Sequence, residues 1–188
     1  MPHEHKHHVC PFWVGYLLAS PLRKLLQNPT KLLSPFVSEG MTVLDIGSAM
    51  GFFTVPMAKM AGESGRVICV DIQEKMFEKL SERAKKAGVL DRIELRHIGP
   101  DSLGISDLAD SLDFALASAV MHEVPSASHS FSELFTALKP SAKVLFIEPL
   151  KRVETAHFEE MLSMAEGAGF SVIERPKVKR SHAAVLKK

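Results

Sequence analysis

The residues whose types and spacing suit binding chemistry gather early in the chain, in the run Val43-Leu44-Asp45-Ile46-Gly47-Ser48-Ala49-Met50-Gly51. An acid comes first, and small residues then alternate at 47, 49 and 51. Small residues let a ligand approach the backbone closely, and an acid ahead of them suits a ligand with a cationic portion. A dinucleotide fingerprint reads G-x-G-x-x-G, its glycines placed around a pyrophosphate. This loop lacks that spacing, and Asp45 would aim negative charge at the pyrophosphate, so a nicotinamide-dependent oxidoreductase is disfavoured. A second acid, Asp71, follows 71 − 45 = 26 residues later. Two acids around a small-residue loop are hard to explain by turn geometry alone, although Asp71 also suits a helix cap.

The elements that must hold these residues read clearly. Short apolar runs at 41–46, 66–71, 92–97, 112–118 and 143–148 suit strands, and 170–174 and 182–186 are short final ones. Helical spacing occupies 52–61, 73–87, 130–138 and 155–168, with Gly62, Gly88, Pro140 and Gly169 as stops. Strands alternating with helices imply right-handed βαβ units and a Rossmann-like, doubly wound α/β sheet, seven-stranded and mainly parallel. The last two strands have no helix between them, so a terminal antiparallel strand is expected. Asp45 and Asp71 then end consecutive strands, at the edge where such sheets bind ligands. Residues 1–38 fall outside this alternation. Pro21, Pro29 and Pro35 cut them into short helical pieces, read as a lid over a domain spanning 39–188.

From residue 40 onward the chain resembles the class I methyltransferases that use S-adenosylmethionine, whose loop is an acid followed by G-x-G-x-G. It is most similar to the branch that holds the quinone-biosynthesis methyltransferases and other small-molecule enzymes. The resemblance rests on Asp45, Gly47 and Gly51, on Asp71, on Met121-His122-Glu123-Val124-Pro125 after the fourth strand, and on Leu138-Lys139-Pro140 before the fifth. It implies an S-adenosylmethionine cofactor, with Asp45, Gly47, Ser48, Ala49 and Gly51 at the methionine end. Asp71 would accept two hydrogen bonds from the ribose diol, Ile72 would lie at the adenine, and Ala117 and Ser118 would supply backbone contacts. The adenine amino contact carries over to Asp101, which is offset from the family's Gly-Asp pair. Ala49 departs from the pattern too. Alanine at a left-handed backbone angle costs roughly 1 kcal/mol, which weakens binding without abolishing it.

The reaction implied is an in-line displacement at the methyl carbon, onto a small and partly apolar acceptor. The protein's share is orientation and a dry pocket. His122 is the candidate general base, and equally a hydrogen-bond partner for the backbone or for Glu148. Glu123 reads as a helix-start acid or a surface residue rather than a catalyst. A noncatalytic adenosylmethionine-binding or adaptor domain, with Ala49 as a mark of decay, is the alternative.

The remaining composition excludes several classes. The chain has 188 residues, 46% hydrophobic and 24% charged, with a formal net charge of +1. That balance suits one globular domain and points neither to a nucleic-acid partner nor to a polybasic membrane anchor. No apolar run approaches the roughly 20 residues of a membrane span. Residues 9–20 loosely imitate a signal peptide but lack a cleavage pattern, so the protein is read as cytoplasmic. Cys10 and Cys69 are too few for a disulfide framework, or for the several thiolates that arsenic methylation needs. His3, His5, His7, His8 and Cys10 could ligate a metal, but at a terminus without fixed geometry no metal site is assigned.

Overall fold

The computed structural model describes residues 28–188. Most of the N-terminal segment, with its histidine cluster and Cys10, therefore lies outside the described residues. The first element is a short helix, α1 (Pro29–Leu33). Proline stands at its start, where no N–H is needed, and the Asn28 side chain accepts from the Lys31 N–H at 3.1 Å. Alternating units follow: β1 (Thr42–Ile46), α2 (Thr54–Ala61), β2 (Arg66–Asp71), α3 (Glu74–Lys86) and β3 (Ile93–His97). The chain continues through β4 (Leu112–Ser118), α4 (Ala127–Ala137), β5 (Leu138–Pro149), α5 (Thr155–Gly167), β6 (Ser171–Glu174) and β7 (Ser181–Lys187).

The seven strands form one sheet in the order β3-β2-β1-β4-β5-β7-β6. The first five are parallel, and β7 runs antiparallel to both β5 and β6. Each central strand is an almost unbroken apolar run because helices cover both faces. Alternation sends Leu44, Ile46, Ala115, Val144 and Phe146 to one core, under α4 and α5. Val43, Cys69, Phe114, Leu145 and Ile147 go to the other, under α1, α2 and α3. In the first core Phe131 meets Phe146 and Phe170 edge-on, the preferred geometry for aromatic rings.

Two element starts differ from the sequence expectation by three residues or more, the other boundaries by no more than two. Helix α4 begins at Ala127 rather than residue 130, because the Ser126 hydroxyl accepts from the His129 N–H and caps it earlier. Strand β5 begins at Leu138 rather than 143. Its pairing jumps from Leu112↔Leu138 to Phe114↔Lys143, so the residues between bulge from the register.

Residues 28–38 pack into the body of the domain. Leu33 is fully buried, Val37 nearly so, and the Phe36 ring stacks on Phe114 with centroids 5.4 Å apart. Leu33→Ala is therefore expected to lower unfolding stability by about 2–5 kcal/mol, measured by urea denaturation. A loss below about 0.5 kcal/mol, the scale of a surface substitution, would show that α1 adds nothing to the core.

Candidate active site

The strand order reverses between β1 and β4, since the chain leaves β1 towards β2 and β3 and returns on the other side. Loops after β1, β2, β4 and β5 splay apart there, and a cavity of about 620 Å³ opens at the strands' carboxyl ends.

The loop after β1 forms one wall. The Gly47 and Ser48 N–H groups donate to the Val70 carbonyl, and the Gly51 N–H to the Ser48 carbonyl, which folds the chain sharply back. Gly47 has φ +68°, and a Cβ on it would stand 2.8 Å from Val120 Cγ2. Any side chain there would intrude on the loop after β4. Ala49 does occupy the left-handed region, at φ +44°. Its N–H donates to Asp71 Oδ2 at 2.8 Å, and Asp71 Oδ1 accepts from the Gln73 N–H at 2.9 Å. Asp71 is therefore not the cap of α3, a position held by Gln73. It joins the two strand-end loops instead. Burial pushes its carboxyl upward, and the surrounding backbone donors pull it part of the way back.

Asp45 is also buried, and its Oδ2 accepts from the Thr54 hydroxyl at 2.5 Å. Its carboxyl is pushed up from 3.8 to about 7. Burial is the main cause; the Thr54 bond works against it and the nearby Asp71 charge works with it. Behind this pair the Cys69 thiol, wholly buried, lies 3.8 Å from Thr54 Oγ1. Burial raises its pKa well above the ordinary thiol value, so it is packing rather than a nucleophile.

Across the cavity, Glu148 ends β5 with no exposed surface. Its Oε1 accepts from the Met121 N–H at 2.9 Å, and its Oε2 lies 2.6 Å from His122 Nδ1. One carboxylate thus fixes both the loop after β4 and the imidazole upon it, leaving Nε2 on the side of Glu123, 3.7 Å away. Burial alone would lower the His122 pKa. The Glu148 hydrogen bond and the charges of Glu148 and Glu123 outweigh it, and the pKa rises above 6.5.

Of the residues singled out in the sequence, Asp45, Gly47, Ser48, Ala49, Asp71, Ile72, Ser118 and His122 line one cavity. Three stand off it. Gly51 packs behind the loop, where a Cβ would meet Leu80 Cγ at 2.9 Å. Ala117 points into the first core. Asp101 is exposed and outside the wall, because the loop after β3 turns it outward and presents Ile98, Gly99, Pro100, Ser102 and Leu103 instead. That loop is held by Glu133 of α4, which accepts from the Ser102 hydroxyl at 2.6 Å and the Leu103 N–H at 2.9 Å. The sequence reading missed Glu133, since nothing local ties it to a loop 30 residues away. It also missed Lys151 and Arg152 on the far wall, although their place just after β5 is itself a signal.

A sheet of this order, with an acid and a tight small-residue turn at the switch point, has the architecture of the class I methyltransferases. The chain belongs to a methyltransferase-domain family, whose model matches residues 37–179. It is 28% identical over 128 residues to the ubiquinone/menaquinone biosynthesis C-methyltransferase UbiE of Salmonella arizonae, and equally to that of Salmonella newport. Each match covers 64% of this chain, which spans about half the length of these curated relatives. A crystal structure of a SAM-dependent methyltransferase from Aquifex aeolicus superposes with a TM-score of 0.83 at 27% identity, covering 95% of this chain and 98% of that one. A TehB-like SAM-dependent methyltransferase from Corynebacterium glutamicum shares the fold, with a TM-score of 0.70 at 16% identity over 94% of this chain and 99% of that one. The donor set suits the family's cofactor: two buried carboxylates face a cradle that side chains at Gly47 would fill, and no lysine or arginine lines that wall.

Two outcomes test these electrostatics. The folded state holds the Asp45 proton up to about pH 7, whereas an unfolded chain releases it near 3.8. The folded state therefore binds more protons in that window, and stability falls as pH rises through it. Urea midpoints of the wild type should fall relative to Asp45→Asn between those pH values, and parallel profiles would overturn the assignment. For His122, an NMR titration of the imidazole should give a pKa above 6.5. Glu148→Gln should bring it below the wild-type value, since burial then acts with less opposition. An unmoved pKa would remove Glu148 as the cause.

Proposed function

We propose that the chain transfers the methyl group of S-adenosylmethionine to a small, partly apolar acceptor by in-line displacement at the methyl carbon. The observation that carries this reading is the pair of buried acids, Asp45 and Asp71, set on a backbone cradle at the switch point of the sheet. Asp45, Gly47, Ser48 and Ala49 would hold the methionine end, Asp71 and Ile72 the ribose and adenine, and Ser118 the middle. When bound, the cofactor supplies a methyl group already activated for transfer by its positive sulfur.

The chain's own residues orient, exclude water and manage a proton. The Asp45 carboxyl is pushed up to about 7 by burial, and a cation beside it favours the charged form. His122 takes the proton of a hydroxyl or thiol acceptor when its imidazole is neutral, with Glu148 holding the ring in place. Apolar walls from Val120, Val124 and Pro125 keep that end dry. The lid read for residues 1–38 lies for the most part outside the described residues, and within it Leu33, Phe36 and Val37 pack against the body of the domain. Among the described residues no helix is long and apolar enough to cross a membrane, which fits a cytoplasmic enzyme acting on a small molecule.

Calorimetric titration of the full chain tests the reading. S-adenosylmethionine and its demethylated product, S-adenosylhomocysteine, should bind and NAD should not. Asp71→Ala should weaken the product by about tenfold or more, the scale of a lost hydrogen bond to a charged group. Unchanged affinity in a folded Asp71→Ala variant would sink the proposed site.

A further inference from the structure

The cavity is divided by charge. Asp45 and Asp71 belong to the ends of β1 and β2, whereas Lys151 and Arg152 enter from the loop that follows β5, beyond β4 in the sheet. That loop is held by its backbone rather than by its cations. The Arg152 and Val153 N–H groups both donate to the Pro149 carbonyl, at 2.9 and 3.0 Å, and the Leu150 N–H donates to the Arg180 carbonyl at 3.1 Å. Val153 is buried beneath, so Lys151 and Arg152 project from an anchored turn.

Neither cation is used by the fold. Arg66, Arg92, Arg96 and Arg175 each meet a carboxylate. Among the described residues Lys151 and Arg152 make no ion pair and no side-chain hydrogen bond, although both line the cavity. Arg180, on the neighbouring turn, is exposed and also makes none. The carboxylates of the same wall are directed elsewhere. Glu148 is committed to Met121 and His122, and Glu123 lies beside His122 Nε2. A guanidinium is a planar fork that matches carboxylate or phosphate oxygens, and both cations are exposed at the rim of the cavity, where such a pairing is open to screening by salt.

We propose that the methyl acceptor carries an anionic group, a carboxylate or a phosphate, bound by Arg152 and Lys151 at this end of the cavity. The proposal rests on the methyltransferase reading and adds the chemical class of the acceptor. An acceptor anchored there by its anion extends between the valine and proline walls, with its reacting atom on the side of His122 and the loop after β1. Its negative charge also complements the cationic cofactor expected across the cavity, and keeps the acceptor away from Asp45 and Asp71.

The test uses the full chain saturated with S-adenosylhomocysteine and three probes, benzoate, phenyl phosphate and neutral benzyl alcohol, titrated by ligand-observed NMR. At least one anion should bind about fivefold or more tightly than benzyl alcohol, and salt should erode that preference. The stronger anion identifies the source, carboxylate or phosphate. In the double variant Arg152→Gln with Lys151→Gln the preference should collapse, while affinity for S-adenosylhomocysteine stays within about twofold of wild type. Retained product binding shows that the variant is folded. It also separates this proposal from the cofactor reading, which Asp71→Ala tests. Benzyl alcohol binding as well as the anions, no anion binding at millimolar concentration, or a preference that survives the double substitution would each overturn the anionic acceptor.

Discussion

The Asp71 carboxylate is the joint on which the site depends. One oxygen holds the Ala49 N–H and the other the Gln73 N–H, so the turn after β1 and the turn after β2 are tied together. The first bond matters most because Ala49 sits at a backbone angle that disfavours any side chain. That conformation costs roughly 1–2 kcal/mol, and a hydrogen bond to a buried charge returns about 1.5–3 kcal/mol. The two effects are of similar size. An alanine can therefore stand where the family pattern has glycine without unfolding the turn. The same carboxylate keeps lone pairs beyond these two bonds, so the binding role proposed for it is compatible with the structural one.

Around this joint the protein distributes charge by strand. The ends of β1 and β2 carry acids whose burial makes ionisation costly, which prepares that wall for a cation. The ends of β4 and β5 carry an imidazole braced by a fully buried glutamate, and then two cations on an anchored turn. Because β1 and β4 are neighbours, the two electrostatic environments meet at the point where the strand order reverses. A cationic methyl donor and an anionic acceptor would each find its complement there, with the reacting atoms between them.

The packing explains why these loops hold their shape. Two apolar cores clamp the sheet from both faces, and helix α4 contributes to the site as well as to its core. Its buried face carries Phe131 and Leu134, while Glu133 grips the loop after β3. Long-range polar contacts serve both ends of the sheet: Asp71, Glu133 and Glu148 hold loops at the mouth, while Asp113 takes the Thr42 N–H and Lys139 at the opposite end. Such bonds in a partly dry setting do more to specify position than to stabilise the whole.

Much of this was legible in the sequence. The alternation of apolar runs and helical spacings determined seven strands, and the missing helix between the last two determined their antiparallel pairing, because both follow from local periodicity. The run from Asp45 to Ala49 and the acid at Asp71 marked the edge where the cavity opens for the same reason: small residues and acids at strand ends are read within one segment. Tertiary structure alone decided how the segments meet. It turned Asp101 away, put Gly51 against Leu80, linked Glu148 to His122 across 26 residues, and brought Lys151 and Arg152 to the cavity wall. It also decided that residues 28–38 belong to the core, through contacts of Leu33, Phe36 and Val37. Each of these depends on the register and twist of a sheet whose neighbouring strands are distant in sequence, and local spacing carries no record of that geometry.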